Sequence, residues 1–110
     1  MATNTQILGQ VMPAAATLSA IYTVPVSTSA TASTIVACNQ AGTATTFRIS
    51  VAIGGAADAA AQYIYYDVTI AGNDTFAATI GMTLATGDEV RVYSASGNVS
   101  FTLFGVEVTP

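Results

Sequence analysis

The sequence predicts an all-β fold: a single antiparallel β-sandwich or jelly-roll-like domain of about seven to eight strands, preceded by an extended N-terminal arm. Three observations carry this. Apolar residues recur with period two along most of the chain, turn signals separate the alternating runs, and no stretch shows the 3.6-residue apolar stripe of a helix. The alanine-rich stretches do not change this, because MPAAAT contains Pro13 and GGAADAAAQ opens on two glycines.

A chain of 110 residues holds one domain, divided here into an arm at 1–16 and a sandwich at 17–110. The arm, MATNTQILGQVMPAAA, carries Ile7, Leu8, Val11 and Met12 without clean alternation, and Pro13 closes it off from the first regular strand. A frayed terminus is the common fate of chain ends. Adjacent apolar anchors are more than a frayed end needs, so these four residues are candidates for docking on a neighbouring subunit.

The strands follow in order. LSAIYTV offers Leu18, Ala20, Tyr22 and Val24 on one face, and STIVACN is apolar on both faces, which points to a central strand. TTFRISVAI is the clearest strand: Phe47, Ile49, Val51 and Ile53 face inward, and Thr46, Arg48, Ser50 and Ala52 face outward. Residues 54–62 are expected as a loop with at most a short helical turn. In YIYYDVTI, strict alternation assigns Ile64, Tyr66, Val68 and Ile70 to the core and Tyr63, Tyr65, Asp67 and Thr69 to the outer face. FAATIGMTL places Phe76, Ala78, Ile80, Met82 and Leu84 together, and EVRVY places Val90 and Val92 inward. VSFTLFGVEV changes phase between Leu103 and Val106, which predicts a bulge at Phe104 and Gly105. Turn signals lie at PVST, NQAGT, AGND, ATGD and SGN.

Charge narrows the function classes. Arg48 and Arg91 are the only cations, lysine and histidine are absent, and the net charge is −4. Nucleic acid is excluded as a partner, because its affinity rests on cations that neutralise phosphates. A polybasic membrane surface protein is excluded on the same ground. No apolar run reaches a membrane span, and no basic residue precedes Arg48, so no secretory signal is recognised and cytoplasmic synthesis is expected. Charged residues make up only 7% of the chain, against about 25% in ordinary domains, which favours a surface covered by copies of itself or by a scaffold.

The chemistry-bearing residues are few. Without histidine or lysine, a serine triad has no base, and Cys38, the only cysteine, permits neither an intrachain disulfide nor a thiolate metal cage. Cys38 is expected as a small hydrophobe in a buried strand. A glycosidase would need two carboxylates across a cleft; Asp67 lies beside tyrosines, but short loops leave little room. NDT (73–75) and TGDE (86–89) lack the spacing of a calcium loop, so Asp74 and Asp88 are expected to cap turns. Asn73 and Asn98 open glycosylation sequons, but with no secretory signal recognised they are not expected to meet the glycosylation machinery. The expectation is therefore no enzyme: no catalytic residue, no metal and no cofactor. The outward Tyr63 and Tyr65 could stack a sugar or base, contact a subunit, or pair across strands; a protein interface is the assignment taken.

Several phrases, in order along nearly the whole chain, resemble a family of small tailed-bacteriophage virion proteins: ILGQVMPAAATL, IYTVPVSTSATASTIVACNQ, TATTFRISV, YIYYDVTIAGNDTF and ATGDEVRVYSASGNVSFTLFGVEVT. The family pattern carries more basic character ahead of the tyrosines than GGAADAAAQ does here. The resemblance implies a β-sandwich on the virion, most simply a capsid decoration or cement protein bound to the major capsid protein or other virion proteins. A tail, baseplate or fibre component, including a host-glycan adhesin, is the alternative. The closing strands are also similar to those of trimeric tumour-necrosis-factor-type jelly rolls, which implies a homotrimer.

Overall fold

In a computed structural model that describes residues 2–110, the alternating runs form eight strands: β1 (Ala2–Val11), β2 (Ser19–Thr23), β3 (Ser29–Asn39), β4 (Thr45–Ala52), β5 (Tyr63–Ile70), β6 (Thr75–Leu84), β7 (Glu89–Ser94) and β8 (Val99–Thr109). They make two four-stranded antiparallel sheets, ordered β1-β8-β3-β6 and β2-β7-β4-β5. Every connection except β4 to β5 crosses from one sheet to the other, which is the wrapping of an eight-stranded jelly roll. The predicted all-β sandwich is the observed architecture.

Inward rows of both sheets meet in one core. Ile35, Phe47, Ile49, Val90, Val92, Phe101 and Leu103 are fully or almost fully buried. The STIVACN run lies in β3, an interior strand between β8 and β6; Ile35 and Ala37 are buried in the core, and Val36 and Cys38 on the other face are half-buried. Short 3-10 turns at Ile53–Gly55 and Ala60–Gln62 occupy the alanine-rich loop.

Three expectations are corrected by register. The segment expected as an arm is, over Ala2–Val11, the edge strand β1, paired with β8 from Ala2 opposite Thr109 to Val11 opposite Phe101. An extra residue at Leu8 breaks its alternation, so Leu8 and Val11 pack on the chain's own core while Ile7 and Met12 stay exposed. In β2 the register shifts between Ala20 and Tyr22; Ile21 and Tyr22 are both buried and Ala20 is exposed. Ile53 is not a core residue either: the chain leaves β4 there, turns at Gly54 (φ 62°), and Ile53 is 83% exposed.

The predicted bulge within β8 does not form. β8 keeps one alternation throughout, and its neighbours carry the extra residues: Leu8 in β1, Ser33 in β3, and Ile80 and Gly81 on β6 opposite Ser33. Glu107, rather than Val106 or Val108, therefore turns inward, where the Tyr22 hydroxyl donates to its carboxylate at 2.5 Å. Gly105 lies at the crossing of these bulges. A Cβ there would sit 2.2 Å from the Thr31 carbonyl oxygen and 2.9 Å from the Ala32 Cα, so no side chain fits without moving backbone.

Gly105→Ala is expected to lower unfolding free energy by about 3 kcal/mol, the upper range for overpacking a tight site. Gly42→Ala, whose added Cβ meets nothing closer than 3.7 Å, should change it by less than about 0.5 kcal/mol. Urea denaturation of both variants measures the contrast.

Candidate functional site

Strand β5 contains the tyrosine cluster and two extra residues relative to β4. Val68 pairs with Phe47, Tyr65 with Ile49, and Tyr63 with Ser50, so six positions of β5 span four of β4. One extra residue falls at Tyr66–Asp67, where Asp67 adopts φ 51°, a left-handed conformation that aspartate tolerates better than most residues. The strict alternation expected for this strand fails here. Tyr65, opposite the buried Ile49, turns inward and packs its ring 6.5 Å from Phe47 and 5.2 Å from Phe76. Ile64 and Tyr66, expected in the core, are 46% and 59% exposed. Val68 and Ile70 remain with the core as expected.

The bulge assembles a site on the outer face of the β2-β7-β4-β5 sheet. Arg48 Nε donates to Asp67 Oδ1 at 2.6 Å, and Nη2 to Oδ2 at 3.4 Å. The same guanidinium lies 4.2 Å from the ring centre of Tyr66 and 4.4 Å from that of Tyr93, a cation held by two π faces and a carboxylate. Its hydrogen bond to Asp67 makes the guanidinium still harder to deprotonate. Tyr63 meets Tyr66 nearly at right angles, with ring centres 5.1 Å apart, and its hydroxyl donates to Asp58 Oδ1 at 2.9 Å. Partial burial, then the Asp58 bond, raises the Tyr63 pKa.

The 53–62 loop forms the remaining wall and is tied down along its length. Gln62 donates to the Ala57 carbonyl at 2.9 Å and accepts from the Ala59 amide at 3.3 Å. Arg91 donates to the carbonyls of Gly55 and Ala56, and Asp88 accepts from the Gly54 amide. Arg48, Asp58, Ala59, Ala60, Tyr63 and Tyr66 together line a cavity of about 500 Å³. Sequence reasoning found Tyr63 but not Arg48, Asp58, Tyr66 or Tyr93. The one available signal was an aspartate inside a β run, a residue depleted in strands.

The other candidates separate. Ile7 pairs with Phe104, and both are partly exposed beside Val106 on the outer face of the other sheet. Met12 is exposed at the end of β1, far in sequence from the tyrosines. Asp74 and Asp88 both bind turn amides: Asp74 accepts from Thr75, and Asp88 from Ala85 and Gly54. Those two amides hold the Asp88 carboxyl below its ordinary range, and Arg91 does the same for Glu89. Cys38 is a free thiol, half-buried on β3. Among the described residues no group of three or more His, Cys, Asp or Glu gathers that could hold a metal, and no helix is long and apolar enough to cross a membrane.

No protein-family model matches the chain, and neither does any curated protein. Among solved structures the chain is similar to one of Bacillus endospore appendages, described as a novel family of disulfide-linked pili. The TM-score is 0.57 and the identity 18%, covering 98% of this chain and 87% of that one. At this identity the likeness establishes the sandwich fold.

Two outcomes follow from the site. Tyr65→Ala should cost about 3 kcal/mol, as for other buried aromatics, whereas Tyr66→Ala should cost under about 1 kcal/mol; equal losses in chemical denaturation would contradict the bulged register. Stability should also show a pH plateau. Asp88 and Glu89, depressed from 3.8 and 4.5, contribute fully above those values and lose their contribution as pH falls past them. Tyr22, raised from 10.0 by burial and by Glu107, contributes fully below pH 10 and less above it. Melting followed by circular dichroism should decline on both sides of the plateau, and Asp88→Asn should flatten the acid limb.

Proposed function

We propose that this chain is a non-enzymatic structural subunit that assembles with copies of itself, as a trimer, on the exterior of a phage virion, where it decorates or cements the head shell. The observation that carries this is the edge at β6. That strand, TFAATIGMTL, ends its sheet and contains no charge and no proline, although exposed edges are normally guarded by such residues. Beside it opens an apolar cleft of about 410 Å³ lined by Val51, Ile64, Tyr65, Ile80, Met82 and Leu84, among others. The Ile80–Gly81 bulge is the one guard this edge carries, and an edge otherwise open, beside an apolar cleft, suits burial against another subunit. Multivalent attachment of a trimer then raises avidity beyond any single contact.

The resemblance to virion proteins supplies the particle, and the fold shared with a pilus structure is consistent with a repeating, assembled role. That pilus likeness favours a second reading, a tail, baseplate or fibre component. In either case the partners are copies of the chain and neighbouring virion proteins.

Light scattering at micromolar concentration should find an oligomer, and placing lysines on exposed β6 positions, Ala77→Lys with Thr83→Lys, should yield a monomer with an unchanged melting temperature. A wild-type monomer at that concentration would defeat the proposal. Quantitative mass spectrometry of purified particles separates the two sites: copy number comparable to the major capsid protein places it on the head, and far fewer copies place it on the tail.

A further inference from the structure

The geometry points to the Tyr63–Tyr66 cavity as a binding site for a neutral sugar, a hexose or N-acetylhexosamine unit of a glycan. The site is complete within one chain, so this inference stands or falls apart from the assembly reading.

A pyranose ring has a flat face of C–H groups and a rim of hydroxyls. It is held by an aromatic surface together with a few fixed polar atoms. Tyr66 is more than half exposed and already positioned by Arg48, and Tyr63 stands across it at 87°, so the two rings form a rigid corner. Asp58 lines the same cavity, and among the described residues only its Oδ1 has a partner, the Tyr63 hydroxyl. Oδ2 is left to accept from a sugar hydroxyl. Ala59 and Ala60 are small residues in the wall, which leaves the space open. The cavity, about 500 Å³, falls within the usual range for small-ligand sites of roughly 300–1,000 Å³.

Charge sets the class of sugar. Arg48 is the one cation at the cavity, and two of its nitrogens are already committed to Asp67. Asp67, just outside the cavity lining, offsets Arg48, and Asp58 has no ion-pair partner among the described residues, so the three charges at the site sum to −1. Sialylated, sulfated or phosphorylated glycans would meet repulsion there, and neutral ones would not. Because Gln62 braces the loop from both sides, little ordering opposes binding.

The test is a titration of the full chain, isotopically labelled, with neutral and anionic oligosaccharides, alongside a glycan array. Neutral hexose or N-acetylhexosamine oligosaccharides should shift the resonances of Ala59, Ala60, Tyr63 and Tyr66, and anionic analogues should not. Tyr66→Ala should weaken binding by about tenfold or more, as loss of a stacking ring does, and Ala60→Leu, which puts a larger side chain on the cavity wall and keeps both rings, should weaken it comparably. Tyr63→Phe keeps the ring but releases Asp58, and should weaken binding by a smaller factor. The inference is overturned if no neutral glycan binds, if anionic glycans bind better, or if Tyr66→Ala and Ala60→Leu bind as the unaltered chain does while melting normally.

Discussion

The unbroken alternation of β8 is the constraint to which the rest of its sheet conforms. This strand, 11 residues long, lies between β1 and β3 and pairs with both along nearly its full length. Its inward row runs from Val99 through Phe101, Leu103 and Gly105 to Glu107. A carboxylate in that row is tolerable because Tyr22, from the opposite sheet, donates to it, and this bond also ties the two sheets together. The neighbours absorb the mismatch. Leu8, Ser33 and the Ile80–Gly81 pair form a line of bulges across the sheet, and bulges increase local twist. Gly105 is the point where that line presses backbone against backbone.

The second sheet uses the same device for a different end. Two extra residues in β5 turn one tyrosine into the core and leave Tyr66 and Asp67 facing outward beside Arg48. The ion pair is partly exposed, and pairs of that kind contribute little stability by themselves. Its effect is positional. Held by a carboxylate and two rings, Arg48 fixes the orientation of Tyr66, and through it the corner with Tyr63. The apolar and polar halves of the cavity thus have separate supports: the bulge holds the rings, and the braced loop holds Asp58, Ala59 and Ala60.

What the sequence made legible is what obeys a strict period. Val90 and Val92, and Phe47 and Ile49, were readable because one residue type marks one face. Bulges are not readable that way, since an inserted residue changes the phase without changing the composition. Tyrosine deepens the ambiguity: YIYY fits either face, because each ring has an apolar body and a polar tip. The Ile7–Leu8 doublet looked like a loss of strand character when it was a strand with one extra residue. The cavity was hidden for a related reason. Arg48, Asp67 and Tyr93 lie on three strands, and only the correct register brings them together.

The placement of the two arginines has a further consequence for how the molecule meets proteases. Arg48 and Arg91 are the only residues after which a trypsin-like enzyme can cut, and they lie in β4 and β7, the two interior strands of their sheet. Neither peptide bond can enter a protease cleft while its strand is paired on both sides. Local fraying at the termini or loops exposes no basic cleavage site, so digestion has to wait for an opening that dismantles the sheet. Tryptic cleavage of this chain therefore reports the rate or population of that large-scale opening and little else.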